Sequence, residues 1–276
     1  MEFTNKSSFE IRQIKADELA LIRDFAPPDW NTNLEKVYRQ HFGQSYFQPL
    51  VAVEETEIIA TGIAVVHRNA AWLGTIIVKD GHRNRGIGGM ITNELIELAR
   101  RKGIDTILLA ATKLGLPVYQ KAGFVHDLNY LFFKGDSPIA PDFKKENISR
   151  ITPEDRDKIF ALDLAVSGED RKELLIHTMS TGYKYTGQGT LDGYFLPDFG
   201  KGLIIAGTDE AGLELLKFKI SDDPTPVVVP ETNKVAIEFL EANGYTHFQT
   251  SPRLFLNRNV TWDAKRVYSR GSGYLG

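Results

Sequence analysis

Arg83-Asn84-Arg85-Gly86-Ile87-Gly88-Gly89 stands between a run that reads as a strand, Ala71–Val78, and an amphipathic helix expected from Gly86 to Lys102. Glycines at such a junction let backbone N–H groups approach a ligand with no β-carbon in the way. The unpaired N–H groups of a helix start, with the helix dipole behind them, favour an anion such as pyrophosphate. Arg83 and Arg85 add positive charge at the same place. A plain turn with surface arginines would share these letters, but it would not need a strand before it and an apolar stripe (Ile87, Ile91, Leu95, Leu98) after it. Two familiar phosphate loops are excluded. A P-loop needs a lysine followed by Ser or Thr, which this stretch lacks, and a dinucleotide fingerprint needs a third glycine where Ile91 stands.

The flanking sequence extends this reading. Phe9–Ile14 alternates at period two, as a half-buried strand does. Ala16 to Phe25 carries apolar residues at helical spacing, and Pro27-Pro28 stop it. A second helix is expected over Leu34 to Phe42. Three strands follow, around Leu50–Val53, Ile58–His67 and Ala71–Val78, and the short polar breaks between them suggest an antiparallel meander. Beyond the loop helix, Ile104–Ala111 reads as a buried strand, Leu116–Ala122 as a short helix with Pro117 in its first turn, and Phe124–Phe133 as a closing strand.

Lys134 to Asn147 has two prolines, several charges and no periodicity, so it reads as a linker. The second half then repeats the element order of the first: a strand at Ile148–Ile151, helices over Pro153–Val166 and Asp170–Ser180, and three short strands near Tyr183–Thr186, Gly193–Leu196 and Leu203–Gly207. A helix at Glu210–Phe218, a strand at Val227–Val229, a helix at Asn233–Ala242 and a strand from Tyr245 complete it. Ala122-Gly123-Phe124 and Ala242-Asn243-Gly244-Tyr245 both end a helix with a stop glycine and open a strand with an aromatic residue, which favours duplication.

Composition narrows the function. The 276 residues favour two domains. The absence of cysteine removes disulfides, thiolate nucleophiles and Cys-ligated metals. A net charge of −3 argues against a nucleic-acid partner. Apolar runs such as Ile107–Ala111 are far shorter than the ~18–20 residues of a membrane span, and Met1–Glu10 has no apolar signal core. A cytoplasmic protein with no membrane partner is the expectation. The six histidines show no His-Glu-x-x-His pair, so no catalytic metal is expected.

Arg83-x-x-Gly86-x-Gly88, preceded by Thr75-Ile76-Ile77-Val78, resembles the acyl-CoA loop of the GNAT-type N-acetyltransferase superfamily. Leu109-Ala110-Ala111-Thr112, Gly115-Leu116-Pro117-Val118-Tyr119 and Ala122-Gly123-Phe124 are similar to a second segment of that superfamily. The likeness covers Phe9 to Phe133, and the chain as a whole resembles the subgroup with a second, GNAT-like C-terminal domain. The resemblance implies an α+β fold with a mixed, mostly antiparallel central sheet flanked by helices, the acyl-CoA N-acyltransferase fold, in tandem. It implies an acetyl-CoA-binding catalytic domain over residues 1–135, a linker over 136–147 and a degenerate domain over 148–276.

The resemblance also implies roles. Acetyl-CoA is the expected co-substrate, with Ile76, Ile77 and Val78 along its acyl-pantetheine arm. Arg83, Asn84, Arg85, Gly86, Ile87, Gly88 and Gly89 would hold its pyrophosphate, with Thr112 nearby. Tyr119 matches the tyrosine that protonates the departing thiolate, and a phenol near pKa 10 can serve a thiol near 8.5. Packing of the short helix onto the sheet is the alternative reading of Tyr119. The implied reaction moves an acetyl group to a primary amine of a small molecule by direct attack in a ternary complex. A non-catalytic acyl-CoA sensor or interaction module is the alternative, and a relic fold serving assembly is a third reading.

The amine must lose a proton, and His67, His82, Glu54 and Asp29 are candidates for its base by residue type alone. Trp30 and Asp170 are candidate acceptor contacts, Asp170 as one of a cluster with Asp163, Glu169 and Arg171 around a helix break. In the second half, Gly207-Thr208-Asp209-Glu210-Ala211-Gly212 stands where a pyrophosphate loop would fall. Its two carboxylates would repel phosphate, so this half is expected to wall the acceptor site or to dimerise. A homodimer stays open. The closing Lys265–Gly276 reads as a mobile tail or a final strand.

Overall fold

The computed structural model describes residues 9–30, 32–135, 142–222 and 226–276. Strand β1 (Glu10–Gln13) leads through a 3-10 segment, Ala16–Ile22, to helix α1 (Leu34–His41). The meander follows as β2 (Phe47–Glu54), β3 (Glu57–Val66) and β4 (Ala71–Val78). Then come α2 (Ile87–Arg101), β5 (Thr106–Ala110), α3 (Leu116–Lys121) and β6 (Val125–Lys134). The second half runs β7 (Ile148–Arg150), α4 (Arg156–Ser167), α5 (Lys172–Ile176), β8 (Tyr183–Gly187), β9 (Thr190–Leu196) and β10 (Leu203–Ala206). It ends with α6 (Asp209–Asp222), β11 (Val227–Pro230), α7 (Lys234–Ala242), β12 (Thr246–Asn257) and β13 (Val267–Ser269). Of the expected linker, residues 136–141 lie outside the described residues.

Side-chain chemistry sets several boundaries. Asn33 caps α1 by accepting from the Lys36 N–H at 3.0 Å, and Asn233 caps α7 in the same way through Ala236. The helical spacing over Ala16–Phe25 yields a 3-10 segment instead of an α-helix. Glu18 reaches back to the Lys15 N–H at 2.9 Å, and Arg12 clamps both its oxygens at 2.6 and 2.8 Å. The segment buries Leu19 and Ile22, three residues apart, which suits a three-residue turn. Pro153–Asp155 likewise forms a 3-10 turn ahead of α4, because Asp155 accepts from both the N–H and the hydroxyl of Thr152.

The strands form an eight-stranded sheet, β1-β2-β3-β4-β5-β12-β6-β11, and a five-stranded sheet, β13-β10-β9-β8-β7. Among the described residues only β4 and β5 pair in parallel. The fold is therefore α+β with mixed, mostly antiparallel sheets. The halves interlock: β12 from the second half runs between β5 and β6 of the first, and β11 pairs with β6. At the seam the Arg270 N–H donates to Val228 O at 2.6 Å, tying the segment after β13 to β11.

One hydrophobic cluster spans both halves, joining Tyr38, Val65 and Trp72 to Ile159, Leu174, Tyr194, Leu203 and Leu275. A second packs α2 and Tyr119 onto the opposite face of the first sheet, and a third lies under α6 and α7. The closing segment is a strand followed by a buried end: Ser269 pairs with Ile204, and Arg270, Ser272 and Leu275 are each less than 9% exposed.

Candidate active site

β4 and β5 run side by side only from Ala71↔Ile107 to Leu73↔Leu109. Beyond Leu73 no pairing joins them, while each keeps its other neighbour, β5 with β12 to Ala110 and β4 with β3 to Val78. The divergence begins at a bulge. Ile63 faces Gly74 and Thr61 faces Ile77, so Gly62 opposes two residues, Thr75 and Ile76. Thr75 has φ +47°, a costly conformation for a β-branched residue. The buried Tyr38 hydroxyl holds it, bonded to Thr75 Oγ1 at 2.9 Å and to Thr61 Oγ1 at 2.8 Å. Ile76, Ile77 and Val78 thus end a strand whose edge toward β5 is open.

The glycine loop follows this open edge. Asn84 and Gly86 take positive φ, +63° and +79°, and Gly86 starts α2 with no side-chain cap. A β-carbon at Gly86 would meet nothing within 4 Å, and one at Gly88 would meet only Val78 Cγ2 at 3.7 Å. The backbone at positions 86–89 is therefore open to an approaching anion, with the positive end of a 15-residue helix behind it. Arg83 sits alongside, donating through Nε to Val78 O at 3.1 Å and pairing with the exposed Asp80. Arg85 is engaged by Glu54 through two hydrogen bonds, at 2.6 and 2.9 Å. His82 stands 3.6 Å from the same carboxylate. Of the two loop arginines, Arg83 is paired with the more exposed acid.

Tyr119 lies on α3 in the cluster beneath α2, 8% exposed and edge-on to Phe124. Gly115 leaves room for its ring, since a β-carbon there would fall 2.7 Å from Tyr119 Cε2. Burial pushes its phenol up to about 12. Thr112 accepts from the Gly115 N–H at 3.1 Å and shapes the turn into α3.

The other sequence candidates separate from this edge. His67 is fully buried, held below its ordinary pKa by desolvation, and donates through Nε2 to Leu275 O at 3.0 Å. Trp30 packs against the core that spans the two halves. The Asp29 side chain lies outside the described residues. Asp170 binds the β3–β4 turn: its N–H donates to Asn69 Oδ1 at 2.8 Å, and its carbonyl accepts from the Arg68 N–H. Asp163, Glu169 and Arg171, flagged beside Asp170, instead turn inward. Arg171 donates to both oxygens of Asp163, at 2.8 and 2.9 Å, and Tyr194 donates to the same carboxylate. Burial alone would lower the Arg171 pKa, but Asp163 holds it above the usual value.

These inward residues border a cavity that sequence reasoning missed. It lies between the halves, against the face of β4 opposite α2, with Trp72, Tyr130, Glu169, Arg171, Arg253 and Arg270 in its wall. The Trp72 indole N–H donates to Glu169 Oε2 at 2.7 Å. Arg253 stands directly before the apolar run Leu254-Phe255-Leu256 of β12, and a charge at the head of that run was the signal available in the sequence. Arg270 carried none, because a basic, glycine-rich end does not announce burial.

Residues 16–124 match the model of the Acetyltransferase (GNAT) family. YitH, an uncharacterised N-acetyltransferase of Bacillus subtilis strain 168, is 25% identical over 217 residues, covering 74% of this chain and 76% of that protein. The fold of a Pyrococcus horikoshii protein assigned as an acetyltransferase superposes with TM-score 0.85 at 19% identity, over 100% of this chain and 99% of that one. A GCN5-related N-acetyltransferase from Sphaerobacter thermophilus gives TM-score 0.62 at 14% identity, over 96% and 98%. These two likenesses match the architecture across both halves.

Proposed function

We propose, from the premise that residues 16–124 belong to the acetyltransferase (GNAT) family, that this N-acetyltransferase moves an acetyl group from acetyl-CoA to a primary amine of a small molecule. The observation that carries this reading is the open edge of β4 past Leu73, leading directly to an uncapped helix start beside Arg83. Acetyl-CoA supplies the activated acetyl thioester. The N–H groups at the start of α2 and the Arg83 guanidinium would hold its pyrophosphate, and the backbone of Ile76–Val78 would orient the acyl arm. The acceptor amine would attack directly, with both substrates bound.

Tyr119 is the proposed proton donor to the leaving sulfur. A phenol at about 12 stays protonated through neutral pH, so it can give a hydrogen bond as charge grows on sulfur. Proton transfer to a thiolate near 8.5 is uphill from that value, which makes the hydrogen bond the larger contribution. We place two GNAT-like units in the chain, the first binding the cofactor and the second closing the acceptor side. Asp209 and Glu210 at the first turn of α6 disfavour a second phosphate site.

Thermal denaturation with acetyl-CoA, CoA and ATP tests the cofactor. A ligand at ~100 times its dissociation constant adds ~2.7 kcal/mol, so acetyl-CoA and CoA should raise the midpoint and ATP should not. Tyr119→Phe should keep that shift and lose about 10²-fold or more in turnover, read as thiol release with an amine panel. Full turnover in the variant would remove Tyr119 from the chemistry, and no shift with either CoA species would overturn the cofactor assignment.

A further inference from the structure

Arg270 is a buried cation with no acid within ion-pair distance among the described residues; Glu169, in the same cavity wall, is the acid that acts on it from farther away. Arg270 is 5% exposed and lies against two rings, 4.2 Å from the centroid of Tyr130 and 4.6 Å from that of Trp72. Its Nε and Nη2 have no hydrogen-bond partner. Arg253, 1% exposed, stands close by over Trp262 at 4.5 Å. Its Nη1 is satisfied by Asp127 at 2.5 Å and Asn259 at 2.8 Å, yet its Nε and Nη2 are also unpartnered. Both side chains border the same cavity. Burying a guanidinium without compensation costs several kcal/mol; Asp127 balances the charge of Arg253 while leaving one edge of its fork unused, and Arg270 has no such acid.

The free atoms point to a ligand shape. In each arginine the unused pair is Nε and Nη2, one edge of the planar fork, which matches the two oxygens of a carboxylate. Each guanidinium lies against two aromatic rings, Arg253 against Trp262 and Trp72 and Arg270 against Tyr130 and Trp72, which restrict its movement. The third arginine in the wall, Arg171, is already satisfied by Asp163. Glu169, the acid of the wall, is engaged by the Trp72 indole. Trp72 lies on β4 two residues before Gly74, about 7 Å of strand from the bulge where β4 leaves β5.

We propose that this cavity binds a carboxylate of the acceptor, so that the substrate is an amine that also carries a carboxylic acid, amino-acid-like in chemistry. The inference deepens the acetyltransferase reading and rests on it for the amine. Arg253 and Arg270 hold the carboxylate edge-on and leave the amine directed toward the open edge of β4. The cavity has about 20 Å³ of free room, enough for about one water. Gly276 forms part of its wall, so entry of a carboxylate larger than that room shifts the glycine-rich segment after Arg270.

The first measurement titrates the full-length protein, labelled with nitrogen-15, with glycine, β-alanine and succinate. Glycinamide, inorganic phosphate and chloride serve as controls, and the arginine Nε–H resonances are followed. Saturable shifts of two such resonances with the carboxylates, absent with glycinamide and abolished in Arg253→Gln and Arg270→Gln, are the expected result. Equal shifts with chloride or phosphate, or none with any carboxylate, would overturn the proposal.

Arg270→Met guards against a structural role. Removing an unpaired buried charge should leave the melting temperature unchanged or higher while the carboxylate response disappears. A variant that melts lower and retains the response would overturn the assignment. Thiol release from acetyl-CoA with acceptor pairs differing only as carboxylate or carboxamide should favour the acid at least 100-fold, and equal rates would also overturn it. Acetyl-CoA binding is read separately by thermal shift. Carboxylate binding without a cofactor shift would refute the acetyltransferase reading alone, and the reverse would refute the acceptor assignment alone.

Discussion

Tyr274 lies so close over Gly74 that a β-carbon built on the glycine would fall 2.1 Å from the tyrosine's own Cβ. A residue two places from the end of this sequence therefore packs on the bulge where β4 leaves β5. No flexible side-chain tip is involved, so the contact cannot be relieved by a rotamer change. Gly74→Ala should lower stability by about 1–3 kcal/mol, the usual cost of overpacking, or expel the segment after Arg270. Urea denaturation read together with limited proteolysis of that segment distinguishes the two, and unchanged values in both would contradict the contact.

Gly88 offers the opposite case. A β-carbon there meets only Val78 Cγ2, at the ordinary distance of 3.7 Å. Gly88→Ala should leave the fold intact, with a gain of up to about 1 kcal/mol from helix propensity. Acetyl-CoA should nevertheless bind at least ~10-fold more weakly, because the methyl group covers backbone proposed to hold the phosphate. Calorimetric titration with acetyl-CoA alongside a thermal melt checks both halves of the statement, and unchanged affinity would place the phosphate elsewhere.

The buried titratable groups predict two limits to stability. His41 is held down to about 4, first by desolvation and then by His177, and desolvation also lowers His67. In each case the unfolded chain binds the proton more readily, so stability is complete above about pH 6.5 and falls as pH drops below it. Tyr38 and Tyr119 are raised by burial to about 12. Their unfolded forms lose protons near pH 10, so stability falls as pH climbs from 10 toward 12. Urea midpoints from pH 4 to 11 should form a plateau between about 6.5 and 10. His41→Gln should flatten part of the acid limb, and a midpoint rising below pH 6 would contradict this account.

The glycine loop was legible because its signal is local: strand, glycines and amphipathic helix lie within about thirty residues and need no distant partner. The place of β12 was not. Leu254 and Leu256 pack toward α2 while Arg253 points to the seam, and such alternation shows that a strand has two faces without naming its neighbours. Its neighbours are β5 and β6 of the other half, about 110 to 150 residues away. The anion cavity was hidden for the same reason. Trp72, Arg253 and Arg270 meet only after β11 and β12 of the second half join the first sheet, and no spacing in the chain records that meeting. Arg83 and Arg85 looked equivalent in sequence, yet the bidentate grip of Glu54 on Arg85 separates them.

Asp163 and Arg171 show how strongly the seam depends on one pair. The guanidinium is 2% exposed and the carboxylate 1%, joined by two charge-assisted bonds. Their loop also positions Glu169, whose N–H donates to Ser167 Oγ at 3.1 Å and whose carboxylate accepts from Trp72. Asp163→Ala would strand a buried cation and should cost about 3–5 kcal/mol. Asp163→Asn should cost less, because the amide oxygen can still accept one bond from Arg171. Arg171→Met combined with Asp163→Leu should recover much of the loss, since a buried pair replaced by apolar groups is often neutral. Urea midpoints of the three variants test this order. A double variant no better than Asp163→Ala would mean that Arg171 holds the seam through contacts other than its partner.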